Sequence, residues 1–301
     1  MTAGAEAPAA VAPWRPARPD ACARSAALRP VDPRPPVDPP YRHWDSTLAP
    51  LIATGDQRLW RAHSDATNAR LVERWLPEGR VDDILKTDLY DEAMGEGLAP
   101  VLVRRATRVT AVDVAPSVTQ AARRRHPTVR IAACDIRRLP FRDASFDVVV
   151  SNSTLDHFER RDDIGRSLAE LHRTLKPGGW LLVTLDNLRH PAVALRNALP
   201  FRLLRALRLA DYPAGATLGP RTLVGLLGSV GFDVHEVTAL LHCPRPWAVA
   251  RARRLQRRED QATHARFLSG LARWESLGGL PTRFLTGHYT AVRARKPHAS
   301  R

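Results

Sequence analysis

Hydrophobic residues from residue 81 onward follow two alternating patterns. Short runs of mostly apolar and β-branched residues are typical of strands buried on both faces of a sheet. Between these runs, the spacing and the proline and glycine signals are those of helices and loops. The pattern predicts strands at residues 84–89, 108–112, 129–133, 146–150 and 180–185, with helices at 116–125 and 163–175. Four or more such alternations predict an α/β fold with a doubly wound, mostly parallel sheet.

The alternation continues beyond the fifth strand. Residues 220–230 predict a helix, residues 231–237 a sixth strand and residues 288–293 a terminal strand, which brings the sheet to seven strands. The Pro-Gly-Gly at residues 177–179 follows the predicted helix 163–175, and we expect it to end that helix as a C-terminal stop signal.

Two segments precede this alternating part. Residues 56–76 place leucine, valine and tryptophan at helical spacing up to Pro77, so we expect residues 41–80 to form a helical cap. Residues 1–40 contain ten prolines and few large apolar residues. Such a composition buries too little surface to offset the entropy of ordering, and it predicts a disordered arm.

Composition narrows the class of protein. The 301 residues are 44 % hydrophobic and 26 % charged, the balance of a globular chain. No apolar run approaches the eighteen residues of a membrane span, and prolines interrupt the N-terminus where a signal peptide would need an apolar stretch. The three cysteines, Cys22, Cys134 and Cys243, are too few and too far apart for a disulfide framework or a structural zinc site. We therefore expect a cytoplasmic protein without a metal centre.

The net charge of +15 is concentrated at one end of the chain. Residues 245–301 hold 13 basic and 3 acidic residues, which is two thirds of the excess. Arginine supplies 43 of the 46 positive charges. Together with the abundant alanine and proline, this favours a GC-rich coding bias over a nucleic-acid surface selected for its charge.

Acidic side chains stand where the predicted strands end. Asp88, Asp113 and Asp135 close the first three strands, and residues 151–157 follow the fourth. Open parallel sheets bind ligands beyond the carboxyl ends of their strands, where the strand order reverses. A carboxylate at the position of Asp113 can accept hydrogen bonds from both hydroxyls of a ribose, although aspartate also favours turns and helix caps.

Four segments resemble the class I S-adenosylmethionine-dependent methyltransferases, particularly the branch that acts on small molecules and lipids. They are residues 109–117, 135–141, 145–152 and 171–179, the last with the Pro-Gly-Gly hallmark. Their order and spacing agree with that family over residues 81–187. The resemblance implies a seven-stranded Rossmann-like methyltransferase sheet, S-adenosylmethionine as the cofactor and a small-molecule methyl acceptor.

The resemblance also implies roles for individual residues. Asp113, with Val114 beside it, would hold the ribose, and Asp135 and Ile136 would face the adenine. The loop at residues 151–157, beginning with Ser151 and Asn152, would flank the sulfonium methyl and the acceptor.

One segment departs from the family pattern. The family closes its first strand with an aspartate and a tight Gly-x-Gly-x-Gly loop, which lets backbone amides approach the methionine end of the cofactor. Here Asp88 fits, but Tyr90 and Asp91 stand near the first glycine position, and Gly95 and Gly97 come about two residues late. Either the loop takes another path, with Asp88, Gly95 and Gly97 near the amino-acid end, or cofactor binding is lost. We favour retained binding.

His157 is the candidate general base, with Asp156 as its orienting partner. Imidazole titrates near neutral pH, and a hydroxyl acceptor must lose a proton when it is methylated. The alternative is that His157 packs at the start of the next helix. A Ser-His-Asp hydrolase is disfavoured because the chain lacks a Gly-x-Ser-x-Gly turn.

The segments outside the common core are expected to set the substrate. We divide the chain into the arm 1–40, the cap 41–80, a core 81–240 with a lid at 190–216, and a basic helical insertion with the terminal strand at 241–301. Residues 191–210 are amphipathic and either pack on the core or touch a membrane surface. The insertion, with a basic helix at 247–259, is hypothesised to line the acceptor pocket.

Two other functions stay open from the sequence. One is a non-catalytic binding protein that kept the fold and lost the glycine loop. The other is an RNA methyltransferase that uses the basic C-terminal region, which is disfavoured because no Asn-Pro-Pro-Tyr-type loop follows the fourth strand. An NAD-dependent dehydrogenase is disfavoured because the chain lacks Gly-x-Gly-x-x-Gly.

Overall fold

Seven strands form one sheet in the order β3-β2-β1-β4-β5-β7-β6. The structure is a computed structural model and describes residues 41–54, 57–206, 215–258 and 260–298. The predicted arm 1–40 lies outside the described residues.

Strands β1 to β5 run parallel, and β7 runs antiparallel between β5 and β6. The predicted α/β class and seven-stranded, mostly parallel sheet are confirmed. The strands are β1 (Val81–Thr87), β2 (Ala106–Asp113), β3 (Arg130–Ala133), β4 (Phe146–Asn152), β5 (Leu175–Asp186), β6 (Asp233–Leu240) and β7 (Tyr289–Arg295).

Twelve α-helices surround the sheet within the described ranges. Their bounds are α1 (Tyr41–Thr54), α2 (Arg58–Trp75), α3 (Tyr90–Met94), α4 (Ala99–Arg105), α5 (Pro116–Arg125), α6 (Arg161–Thr174), α7 (Pro191–Ala198), α8 (Phe201–Ala206), α9 (Pro220–Val230), α10 (Arg245–Leu255), α11 (Gln261–Arg273) and α12 (Arg283–Thr286). Short 3-10 helices span Leu155–His157 and Trp274–Gly279. Three of the α-helices begin with proline, whose fixed φ suits a first helical turn.

Two hydrophobic cores lie on opposite faces of the sheet. On one face, α1, α2, α4, α5, α10 and α11 pack around residues such as Trp75, Ile84 and Leu102. On the other face, α6 and α9 bury residues such as Ile164 and Leu223 against the strands. The apolar residues of the central strands are therefore covered from both sides, as their continuous hydrophobic runs predict.

The role expected for the Pro-Gly-Gly segment is wrong. Helix α6 ends at Thr174, and residues 177–179 lie inside β5 rather than at a helix cap. Leu175 pairs with Phe146, while Trp180 pairs with Val148, so the register shifts across this segment. Gly178 adopts a φ of 79°, which glycine tolerates without strain, and this lets the chain absorb the shift.

Strand β6 also begins later than the sequence predicts. Gly231 adopts a φ of 102° and ends α9 with its amide donating back to the helix, so residues 231–232 belong to the helix cap. The strand then extends through Leu240, three residues beyond the predicted end at residue 237.

The lid and the insertion flank the exit of β5. The lid contains α7 and α8, separated at Leu199 and Pro200, and part of it (residues 207–214) lies outside the described residues. The insertion contains α10, α11 and α12, and its first two helices pack against α2. The fully buried Asn187 connects the two, because its Nδ2 donates to the carbonyl oxygens of Phe284 at 2.7 Å and Gly287 at 2.8 Å.

No helix among the described residues has the length and apolar character needed to cross a membrane.

Candidate functional site

Three strands leave the sheet through residues in the left-handed backbone region. Asp88 after β1 has a φ of 68°, Ser153 after β4 a φ of 50°, and Leu241 after β6 a φ of 56°. Left-handed non-glycine residues cost free energy and concentrate at binding and active sites. All three turns lie at the carboxyl edge of the parallel strands, the edge that the sequence analysis selected.

Asp88 and Asp113 lie side by side at this edge. One oxygen of Asp113 accepts the amide of Leu89 at 2.9 Å, and the other accepts the amide of Ala115 at 2.8 Å. Asp88 Oδ1 accepts the amide of Tyr90. Desolvation raises the pKa of both carboxyl groups, and the charge of Asp113 raises the pKa of Asp88 further. Two neighbouring acids with one nearby lysine form a site that favours a positively charged ligand.

The expected glycine loop is replaced by the short helix α3. Its Glu92 is 1 % exposed and lies 2.8 Å from the Nζ of Lys86, a residue of β1. The other Glu92 oxygen accepts the amide of Leu98 at 2.8 Å. Gly97 has a φ of 53°, and a Cβ there would stand 2.5 Å from Glu92 Oε1. Gly97 therefore allows the chain to pass close to the Glu92 carboxylate.

Gly95 holds a different contact. Its carbonyl oxygen lies 3.0 Å from Nε2 of His126. A Cβ at Gly95 would stand 3.8 Å from Asp65 Oδ2, an ordinary contact distance. The cofactor role expected for Gly95 and Gly97 stays a prediction.

Asp135 follows β3 and is bound by an arginine. Arg137 donates to both Asp135 oxygens, with Nη2 at 2.6 Å, and its Nη1 also lies 3.3 Å from Asp163. The guanidinium carbon is 5.3 Å from the centroid of the Phe158 ring. Ile136 is buried beside this pair, and Val114 is half-buried next to Asp113. The adenine contacts expected of Asp135 and Ile136 stay predictions, and Arg137 is a neighbour that the sequence analysis did not consider.

The loop after β4 is held by hydroxyl groups. Thr87 Oγ1 is 2.9 Å from Ser151 Oγ and 2.8 Å from Thr154 Oγ1, which joins the ends of β1 and β4. Asn152 Oδ1 accepts the hydroxyl of Thr184 at 2.8 Å. The side chains of Ser151 and Asn152 thus support the cleft floor between the two strands.

Asp156 and His157 point to different partners. The Asp156 carboxylate accepts Ser153 Oγ at 3.0 Å and the amide of Asp186 at 2.8 Å. The ring of His157 packs edge-on against Trp44 of α1, with centroids 4.7 Å apart. His157 is within electrostatic range of both Asp113 and Asp156. The Asp156 carboxylate thus fixes the Ser153 turn, while the His157 ring packs against α1, and the catalytic roles expected of both residues stay predictions.

A second polar cluster, which sequence analysis missed, lies beyond the ends of β5 and β6. Asp186 closes β5 and pairs with Arg196 Nη2 at 2.5 Å and His288 Nε2 at 3.2 Å. Arg245 Nη1 lies 2.8 Å from His288 Nε2 and 3.4 Å from Tyr289 Oη. These five residues come from β5, the lid, the insertion and the start of β7, and we call them the Asp186 cluster.

The charges in the Asp186 cluster are unevenly distributed. Burial disfavours ionisation of Asp186, but His288, Arg196 and Arg245 outweigh it and hold its pKa below the usual range. Burial lowers the pKa of His288, the hydrogen bond to Asp186 raises it, and Arg245 lowers it again, with a net decrease. His288 Nε2 lies within hydrogen-bonding distance of both Arg245 Nη1 and Asp186 Oδ1, so it accepts from Arg245 when unprotonated and donates to Asp186 when protonated.

An open groove of about 410 Å³ adjoins this cluster at the lid. Asn197 of α7 lines it and follows Arg196, which bonds Asp186. Gly215 also lines the groove, and its carbonyl oxygen accepts Asn197 Nδ2 at 3.0 Å. The groove is lined by Glu159, Arg161, Leu188, Asn197, Gly215 and Thr217, among others.

Within the described part of the chain, no group of three or more histidine, cysteine, aspartate or glutamate side chains is arranged to hold a metal ion.

Comparison with known proteins finds that part of this chain is similar to methyltransferases. Residues 91–183 match the protein family described as "Methyltransferase domain". A "probable S-adenosylmethionine-dependent methyltransferase" of Mycolicibacterium smegmatis is 30 % identical over 188 residues, which cover 62 % of this chain and 64 % of that protein. A demethylmenaquinone methyltransferase of Chlorobaculum tepidum is 30 % identical over 131 residues, covering 43 % of this chain and 49 % of that protein. The matches thus span about half to two thirds of these relatives.

A solved structure shares the fold. The crystal structure of a possible histamine N-methyltransferase of Thermotoga maritima superposes with a TM-score of 0.51 at 19 % identity, and covers 84 % of this chain and 100 % of that one. The matched segment contains β2 to β4 and most of β5, with Asp113 and the loop after β4 at the edge described above. Residues 91–183 thus match a methyltransferase domain, and the chain is similar to S-adenosylmethionine-dependent methyltransferases over part of its length.

Proposed function

We propose that the chain is an S-adenosylmethionine-dependent methyltransferase that acts on a small-molecule acceptor. The observation that carries the proposal is the pair Asp88 and Asp113 at the carboxyl ends of adjacent strands, with Asp113 inside the segment that matches a methyltransferase domain. Each Asp113 oxygen accepts one backbone amide and retains a further acceptor position, which suits the two hydroxyls of a ribose.

The charge of the cleft also fits the cofactor. S-adenosylmethionine carries a positive sulfonium, and acids at the strand ends favour a cation in a partly desolvated site. Lys86, a nearby cation, is occupied by Glu92 and by the carbonyl oxygen of Asp88. The acids Asp88 and Asp113 are therefore not neutralised by a pairing lysine of their own.

When bound, the cofactor supplies an electrophilic methyl group that an acceptor lone pair attacks in line with the carbon–sulfur bond. The residues of the chain orient the acceptor, exclude water and remove the proton that the acceptor loses. His157 is our candidate for the proton acceptor because it lies in the loop after β4, within electrostatic range of Asp113 and Asp156. The Asp156 carboxylate would act indirectly, by holding the Ser153 turn.

We place the acceptor on the side of the Asp186 cluster. It lies one strand beyond β4 at the same edge, and it joins side chains from the lid and the insertion. The demethylmenaquinone methyltransferase relative bears the name of an enzyme with a small-molecule acceptor, which supports that class here. The insertion contributes Arg245 to this side, in agreement with the hypothesis that it lines the acceptor pocket.

Calorimetric titration with S-adenosylhomocysteine tests the cofactor site. We expect wild-type protein to bind with micromolar affinity, and Asp113→Asn to bind at least about 30-fold more weakly, because the isosteric amide replaces one ribose acceptor by a donor. Asp82→Asn is the matched control, since Asp82 is exposed on the neighbouring strand β1. Equal affinity in all three proteins contradicts the ribose role of Asp113.

The second candidate is a binding protein that has lost catalysis, and one observation favours it. Helix α3 and the Lys86–Glu92 pair occupy the place of the glycine loop. Absence of S-adenosylhomocysteine binding at millimolar concentration would support this candidate over the methyltransferase. An RNA methyltransferase would instead show RNA affinity that falls steeply with salt.

A further inference from the structure

A mixed-charge cluster lies where α2 meets the helix that replaces the glycine loop. Arg61 and Asp65 stand one turn apart on α2, and Tyr90 and Asp91 belong to α3. The Arg61 guanidinium pairs with the Asp91 carboxylate, and its carbon lies 4.1 Å from the centroid of the Tyr90 ring. Asp65 receives the amide of Gly97 on its other side. We call these four residues the Arg61 cluster.

Two atoms of this cluster are left without partners. Arg61 Nε and Asp65 Oδ1 are both shielded from solvent and have no hydrogen-bond partner among the described residues. Buried polar atoms are almost always hydrogen-bonded, so an unsatisfied donor and an unsatisfied acceptor in one cluster indicate a missing ligand. That ligand must offer an acceptor to a guanidinium and a donor to a carboxylate.

The position of the cluster points to the same ligand as the cleft. Helix α2 leads by a short connection into β1, so its first turns lie near the carboxyl end of that strand. The charge of Asp91 raises the pKa of both Asp88 and Asp65, which places Asp91 between the strand ends and α2. The Arg61 cluster thus continues the cleft beyond Asp88.

We propose that the Arg61 cluster binds the amino-acid end of the cofactor in place of the missing glycine loop. Arg61 Nε donates to the α-carboxylate, and Asp65 Oδ1 accepts from the α-ammonium group. The inference rests on the proposed function, since it assumes that the nucleoside lies at Asp113. In this proposal, side chains of this chain bind the amino-acid end of the cofactor, which the glycine loop of the family binds through backbone amides.

Ligand entry requires the Tyr90 side chain to move. The two unsatisfied atoms are covered in this structure, and the Tyr90 ring lies over the guanidinium. Rotation of this ring uncovers the Arg61 guanidinium while the Lys86–Glu92 pair keeps α3 in place on β1.

Two adenosine thioethers can be used as probes to distinguish binding at the Arg61 cluster from binding at the nucleoside site. S-adenosylhomocysteine has the zwitterionic amino-acid end, and 5′-methylthioadenosine lacks it. By calorimetry, we expect wild-type protein to prefer S-adenosylhomocysteine by about 100-fold, and Arg61→Met to lose about 10- to 100-fold of affinity for it while binding methylthioadenosine as before. Arg58→Met is the matched control, because Arg58 lies exposed on the same helix.

Asp65→Asn provides the second variant, with the same size and no charge. This variant should bind S-adenosylhomocysteine about tenfold more weakly than wild type and bind methylthioadenosine with unchanged affinity. If the wild type binds both thioethers equally, or if Arg61→Met weakens both to the same extent, the inference is overturned while the methyltransferase proposal stands. If the wild type binds neither thioether, the proposed function fails and the inference fails with it.

Discussion

Lys86 Nζ lies 2.8 Å from Glu92 Oε2, and each side chain is only 2 % exposed. Burial disfavours the charge on Lys86, but Glu92 and Asp88 outweigh it and raise the pKa of the lysine. The pair connects the centre of the sheet to the helix that replaces the glycine loop. A buried pair of this kind leaves a large cost when one partner is removed.

We therefore expect Lys86→Met to lower the free energy of unfolding by about 3–5 kcal/mol, because it leaves Glu92 buried and unpaired. The double variant Lys86→Met/Glu92→Gln should recover much of this loss, since the amide keeps an acceptor for Leu98. Urea unfolding measures both. A single variant within about 1 kcal/mol of wild type would show that the pair does not stabilise α3.

Gly97 should tolerate no side chain. Its φ of 53° is left-handed, and a Cβ would stand 2.5 Å from Glu92 Oε1. We expect Gly97→Ala to destabilise the protein by about 2 kcal/mol or more. Gly270→Ala is the matched control, because Gly270 is exposed in the interior of α11 with open space around its Cβ position, and alanine there should stabilise by up to about 1 kcal/mol. Thermal unfolding of the two variants should therefore shift in opposite directions.

Because of Asp65, the free energy of unfolding should decrease as the pH rises from about 4 to about 7. Burial and the charge of Asp91 raise the pKa of its carboxyl to about 7, while in the unfolded chain it stays near 3.8. The folded state therefore binds this proton more tightly, so the free energy of unfolding decreases between about pH 4 and pH 7. In Asp65→Asn the neutral side chain is kept at every pH, and we expect the advantage of the variant over wild type to grow across this window to as much as about 4 kcal/mol. Asp82→Asn should follow the wild-type curve.

Arg245 should control the protonation of His288. Burial lowers the pKa of His288, and Arg245 contributes in the same direction while donating a hydrogen bond to Nε2. Arg245→Met removes this donor, so the imidazole becomes free to take a proton and pair with Asp186. Histidine ring signals in NMR should report a higher pKa for His288 in this variant. Arg251→Met, on an exposed turn of the same helix, should leave the titration unchanged.

Part of the candidate site could be predicted from the sequence because open parallel sheets bind ligands beyond the carboxyl ends of their strands. Asp88 and Asp113 could be paired from the sequence because parallel strands meet at a common edge, and the structure places them side by side. Asp186 closes β5 in the same way, so the sequence analysis could have identified it by the same argument.

Other contacts carried no local signal. Helix α3 has five residues, too few for a periodic pattern, and ion pairs to β1 and α2 hold it in place. Arg245 and His288 are 43 residues apart and meet only because β6 and β7 pair. Hydrophobic periodicity predicts which elements form, but the choice of polar partners across a loop or an insertion depends on the packed structure.

The two hydrogen bonds from Asn187 have a consequence for protein engineering. They tie the exit of β5 to the last turn of the insertion, so the segments that carry Arg196 and Arg245 share one anchor. A chimera that exchanges the insertion for that of another protein would leave the Asn187 carboxamide without its two carbonyl acceptors and would disturb the first residues of the lid. The two segments would therefore have to be grafted together, as a single cassette that includes Asn187.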